Sequence, residues 1–152
     1  MAWTIIADPL KQLSDYIRNG WPTTDFIPPK DKIAWNSWQS PLANTSFMIE
    51  EIATDPQPET LGWGLRSYRG SYRIHMWTAF LGSILTEVIP PILKNSREHL
   101  DKFLSQNPKG LSGTGIHSIR PYPPVMYRHD VDPQADKWQL IFGVQMIYFK
   151  NI

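Results

Sequence analysis

Residues 138–149 alternate so regularly that they read as an extended strand. Trp138, Leu140, Phe142, Val144, Met146 and Tyr148 fall on one side, and Gln139, Ile141, Gly143, Gln145, Ile147 and Phe149 on the other, because successive side chains of a strand point to opposite faces. The first side is wholly apolar. The second is mixed, and its Ile, Gly and Phe content implies that it too is at least partly covered. The sequence therefore predicts a sheet whose last strand is central to the core.

Other segments supply partners for that strand. A strand is expected over 46–54, with Phe47, Met48, Ile49 and Ile52 as its apolar side chains, and Asp55-Pro56-Gln57-Pro58 reads as a turn. Tyr72, Ile74 and Met76 alternate with Arg73, His75 and Trp77, which predicts a strand with two unlike faces. Gly62-Trp63-Gly64 lies between the two, so they form a hairpin with a long, glycine-broken arm. A short strand is expected at 116–119, and 125–129 pairs with the last strand across a loop at 130–137.

Two helices stand out. Asp8-Pro9 opens the first, Asp capping the orphan N–H groups and Pro losing nothing at the first helical position. Leu10, Leu13 and Ile17 recur at helical spacing, and Asn19-Gly20 offers a left-handed stop. In the second helix Ile92, Leu93, Leu100, Phe103 and Leu104 form one stripe, with Lys94, Arg97, Glu98 and Lys102 opposite. Pro90-Pro91 suit only its first turn, and Asn107-Pro108-Lys109-Gly110 ends it. Between 21 and 41, Pro22, Pro28, Pro29 and Pro41 exclude a helix and permit at most a short edge strand such as 32–35. The fold class that follows is α+β: a mostly antiparallel sheet packed against two helices. One domain over 1–152 is expected, with an irregular Pro- and Trp-rich loop at about 21–41.

Charge and chemistry narrow the functions. The net charge is +1, from 15 Lys+Arg against 14 Asp+Glu, without the basic excess from which nucleic-acid binders draw their affinity. Zero cysteines remove disulfides, thiol catalysis and thiolate metal sites. Met1 to Ile6 carries no basic and apolar regions of a leader, and no apolar stretch reaches the ~20 residues of a membrane helix, so a soluble cytoplasmic chain is expected. His75, His99, His117 and His129 lack metal-like spacing; His75 is expected on a polar strand face and His99 on a helix surface. Asp130, Asp132 and Asp136 resemble loop residues more than a cation site, lacking the central Gly and final Glu of a calcium loop. The glycines of 109–115 follow a helix instead of opening one, so they do not cradle phosphate. Glu50 and Glu51 are adjacent on a strand and point to opposite faces, so they cannot work as a carboxylate pair. No catalytic, cofactor-binding or metal-binding constellation results, and the chain reads as a non-enzyme.

One cluster is left, Arg66, Tyr68, Arg69, Tyr72 and Arg73 with Trp77 beyond, which could stack bases and hold phosphates, or could be the outer face of a hairpin, either solvated or packed on a neighbouring subunit. With near-zero net charge the second reading is preferred. The aromatics of the irregular stretches agree: Trp21, Trp35 and Trp38 in the 21–41 segment, and Trp63, Tyr68 and Arg69 on the hairpin arm, are the residue types that concentrate binding energy at interfaces. Those six are the candidate interface residues.

The order of elements, from Asp8-Pro9-Leu10 through the 46–79 hairpin and the 90–106 helix to the closing strands that begin at Tyr127-Arg128-His129-Asp130 and end at Tyr148, resembles that of the tail-terminator (tail-completion) and minor tail proteins of long-tailed bacteriophages. The resemblance covers nearly the whole chain as a pattern, without signature residues, and the 21–41 segment has no place in it. It implies a homo-oligomeric ring, usually sixfold, that caps the tail tube, stops its polymerisation and joins the tail to the head connector. The implied partners are other copies of itself, the tail-tube protein and the head–tail connector, with no cofactor, no membrane, and nucleic acid only as passing DNA. The implied location is the virion, assembled in the host cytoplasm. A nucleic-acid-binding module using residues 66–77 is the alternative, and a ligand or enzyme site assembled from loops is the third reading.

Overall fold

The computed structural model describes residues 8–23, 28–36, 45–62, 65–80, 89–106, 116–131 and 136–151, and within the strands leaves aside the side chains of 57–62, 65, 79–80, 130–131, 136 and 150–151. Helix α1 (Pro9–Asn19) starts where expected: the Asp8 side chain accepts from the Lys11 N–H at 3.1 Å. Its end differs from the expectation. Gly20 is not left-handed, with φ −87°. It is required by space, since a Cβ there would lie 2.1 Å from Cζ of Phe103, whose ring is itself stacked on Tyr16 at 4.5 Å.

A 3-10 turn at Lys30–Lys32 leads into β1 (Ile33–Trp35), the short strand foreseen in the irregular segment. It ends at Asn36, whose φ of 59° suits Asn and whose Oδ1 accepts from Ser14 Oγ of α1 at 3.2 Å. Four long strands complete the sheet: β2 (Thr45–Gly62), β3 (Leu65–Phe80), β4 (Ile116–Val131) and β5 (Asp136–Asn151), with α2 (Pro91–Ser105) between β3 and β4. The strand order is β1-β2-β3-β5-β4. β1 runs parallel to β2 and every other pair is antiparallel. The architecture is α+β, a mixed but mostly antiparallel five-stranded sheet with two helices.

β5 lies between β3 and β4, the central position its alternation implied. The row Ile49–Ile74–Phe142–Val125 crosses four strands with apolar residues alone. Both helices pack on this side: Leu13 and Ile17 of α1, and Leu93, Leu100 and Leu104 of α2, are wholly buried with Phe47, Ile74, Met76, Leu140 and Met146. The α2 stripe is the one read from the sequence. A 16-residue strand spans about 50 Å and a 15-residue helix about 22 Å, so α2 spans less than half of the strand length.

One turn expected from the sequence is instead strand, and two short strands expected separately are one. β2 runs through Pro56 and Pro58 to Gly62, with register irregularities between Pro56 and Thr60. Prolines are tolerated there because, among the described residues, β1 pairs with β2 only at 45–47, which leaves the rest of β2 at the sheet edge, where prolines are accepted. Likewise 116–119 and 125–129 belong to one strand, β4, broken by a bulge between Pro121 and Val125 that includes the cis Pro123–Pro124 bond. The bulge folds over Gly143 of β5: a Cβ on Gly143 would lie 1.9 Å from the Tyr122 carbonyl oxygen. Backbone cannot swing aside as a side-chain tip can. Gly143→Ala is therefore expected to destabilise the fold by about 1–3 kcal/mol. An unchanged urea midpoint would show that the bulge does not press on β5.

Candidate subunit interface

Among the described residues, the strand register divides the sheet into a face covered by both helices and a helix-free face, on which neither described helix packs. His75, Gln139, Ile141 and Gln145 at the centre of the helix-free face are nonetheless buried. On β3, Tyr72, Ile74 and Met76 are on the covered side with Tyr68, while Arg69, Ser71, Arg73, His75 and Trp77 are on the other. The basic–aromatic cluster seen in the sequence is thus split between two faces and is not one stacking platform. Tyr72 is buried, and burial pushes its phenol well above its ordinary pKa, with Tyr148 and Glu51 adding to the rise. Two of the three β3 arginines are also opposed directly: Arg73 pairs across the ladder with Glu50, and Arg69 with Asp55.

The six candidate interface residues fare unequally. Trp21, expected at the surface, is a core residue, 2% exposed, with Nε1 donating to the Pro28 carbonyl at 2.9 Å. Its ring meets Trp35 and His99 edge-on, at 5.8 and 4.7 Å. The reason is geometric: the chain turns back after α1, and this indole fills the space between α1, the irregular segment and α2. Trp35 is half-buried, donates Nε1 to the Lys30 carbonyl at 3.1 Å, packs on Phe47 at 4.8 Å and lies under the Arg18 guanidinium. Arg18, Thr23, Lys30, Asp31, Ile33 and Trp35 line a shallow pocket beside it. Tyr68 is half-buried and stacked on Tyr148, whereas Arg69 is exposed. Trp38 and Trp63 lie outside the described residues.

The histidines also differ from expectation. His75 does lie on the helix-free face but is 8% exposed, with the Gln139 amide 2.7 Å from Nδ1, Trp77 stacked on its ring and Glu50 3.9 Å from Nε2. His99 is half-buried against Trp21 and Phe103 instead of lying on the helix surface. Burial lowers the pKa of both; for His75, Glu50 partly offsets the effect and Arg73 adds to it. The unfolded chain therefore binds more protons than the folded one just below the ordinary imidazole value of about 6.5, and stability is lost as pH falls through it. The melting temperature is expected to drop between about pH 7.5 and pH 5.5, and to drop less in a His75→Gln, His99→Phe variant. A flat profile in the parent chain would contradict the burial of both rings.

Among the described residues no three His, Asp or Glu side chains gather as metal ligands, and no helix is long and apolar enough to cross a membrane. The glycine stretch 109–115 and Asp132 lie outside the described residues. Asp130 and Asp136 belong to the ends of β4 and β5, so the loop expected at 130–137 is shorter than that.

Sequence reasoning did not mark as exposed the residues that the sheet leaves bare, and it grouped Ile52 with the apolar side chains of its strand. The exposed large hydrophobics among the described residues are Ile52, Tyr122 and Met126, between 42% and 44% accessible. Ile52 is on β2 and the other two are on β4, the two strands at the open sides of the sheet. Their only signal was local, a break in period-two alternation at Ile52 and at the prolines of β4. The chain matches no protein-family model and no curated protein.

Proposed function

We propose that this chain is a structural subunit that closes into a homomeric ring at the head-proximal end of a phage tail. There it would end tail-tube polymerisation and join the tail to the head connector in the virion. The observation that carries this reading is the openness of the sheet at both sides. β4 has no further strand partner among the described residues, and β2 has one only along 45–47. An open edge is a template for another chain, and two different edges on one subunit allow a head-to-tail contact that closes when the rotation per subunit divides a full turn. The order of elements agrees with the tail-terminator resemblance. The test is the mass of the purified chain in solution, alone and with the tail-tube protein. A discrete oligomer, near six copies, is expected. A monomer at every concentration, indifferent to tube and connector proteins, would sink the reading.

One observation favours nucleic acid as a second reading. Arg69 and Arg73 on β3 and Arg120 and Arg128 on β4 all lie on the helix-free face. Asp55 and Glu50 opposite the first two reduce that charge, which is why the ring is preferred. Duplex DNA binding that falls steeply with salt would favour this alternative.

A further inference from the structure

Resting on the ring reading, we infer that the contact between copies is the β4 edge of one subunit laid along the uncovered β2 edge of the next, with Met126 meeting Met48 and Arg120 entering between Glu50 and Asp55. The two edges are unlike and complementary. Where side chains are described, β2 carries Glu50, Glu51 and Asp55 and no basic residue, whereas β4 carries Arg120 and Arg128 and no acidic one. The exposed large hydrophobics, Ile52, Tyr122 and Met126, are divided between the same two edges. A lone surface gains nothing by placing apolar side chains beside unpaired strand backbone.

Direction and level agree as well. β2, β3, β5 and β4 alternate in direction across the sheet, so β4 of one copy placed beside β2 of the next continues an antiparallel sheet without turning either subunit over. Register then fixes which residues meet along the paired stretch, which runs from Met126 toward Ile116, because β1 already lies beside 45–47 and the two strands must diverge beyond Met48. Met126, Ile141, His75 and Met48 form one cross-strand row. Arg120, Gln145, Ser71 and Ala53 form another. Met126 of one copy thus lies beside Met48 of the next. Arg120 lies beside Ala53, on the face that also carries Glu50 and Asp55, and opposite-charge neighbours at such diagonal positions attract. Gln145 accepts from Arg120 Nε at 3.0 Å and from its Nη2, holding the guanidinium on this face. Pro121 to Pro124 interrupt β4 and Pro56 and Pro58 interrupt β2. Pairing is thereby limited to the stretches between them, and slipped or open-ended stacking is discouraged.

The experiment uses the full chain, whose lack of cysteine gives a silent background. Met48→Cys and Met126→Cys together should form inter-chain disulfides on oxidation, giving a covalent ladder that stops at the ring mass, because bridging requires Cα atoms within about 7 Å. Arg120→Asp and Asp55→Arg, each alone, should raise the concentration for half-assembly about tenfold, and the double reversal should recover most of that loss. Thermal melts confirm that each variant folds; Asp55, exposed and on an edge, carries the test if Arg120→Asp does not. Rings that form normally in both reversals and give no ladder would overturn this interface while leaving the ring reading standing. A parent chain that stays monomeric even with tube protein would remove both.

Discussion

Phe142→Ala is expected to cost about 3–5 kcal/mol of stability, the range for emptying a large buried side chain. Phe142 is 1% exposed on the central strand. Its row neighbours are Ile74 on β3 and Val125 on β4, and both helices pack on its side of the sheet. A cavity there has backbone ladders on two sides, so the surroundings cannot collapse far into it. For a domain of this length such a loss lowers the melting temperature by about 6–20 °C. It is also a large share of the 5–15 kcal/mol that holds an ordinary domain together, on the order of a third or more. Urea melts read it directly. A change below about 1 kcal/mol would mean that β5 is not the centre of the core.

Trp21→Ala is expected to be comparably severe, at about 3–5 kcal/mol, and it separates two accounts of the same residue. As an interface residue Trp21 would weaken assembly and leave the monomer's melt unchanged. As the structure has it, the indole is buried, edge-on to Trp35 and His99, and hydrogen-bonded to the Pro28 carbonyl. Its loss empties the junction of α1 with α2 and leaves a carbonyl unpaired. Trp21→Phe should keep most of the packing and lose the N–H bond, costing about 1–3 kcal/mol. A monomer melt unmoved by Trp21→Ala would return the residue to the surface. Trp35, packed on Phe47 and bonded to the Lys30 carbonyl, is expected to show a milder form of the same behaviour.

Trp21 and Trp35 also show where reasoning from sequence stops. Their setting among prolines excluded a long helix and allowed a short strand, which β1 (Ile33–Trp35) is, and suggested exposure, which the structure contradicts. Irregular backbone says nothing about which way an indole points. The histidines repeat the lesson: His99 sits on the third turn of an amphipathic helix, at a position shielded by Phe103 of the same helix and by Trp21, which arrives from another part of the chain. The arginine cluster is the opposite case. Period two alone separates Arg66, Tyr68 and Tyr72 from Arg69, Arg73 and Trp77, so its division between two faces was legible in the order of the residues.

Features that depend on local period and on local steric rules could be read directly from the order of residues. Alternation over 138–149 made β5 a strand covered on both sides, the 3.6-residue stripe made α2, and Asp8-Pro9 set the start of α1. Which strands lie at the edges had no such local signal. Edge position depends on the order β1-β2-β3-β5-β4, which arises because β5 turns back and inserts between β3 and β4. That insertion leaves β4 outermost, lets prolines that look like turn residues remain in strands, and sets Met126 and Arg120 on one open side with Met48, Glu50 and Asp55 near the other. Contacts between residues far apart in the chain carry no local signature, and the candidate interface consists entirely of such contacts.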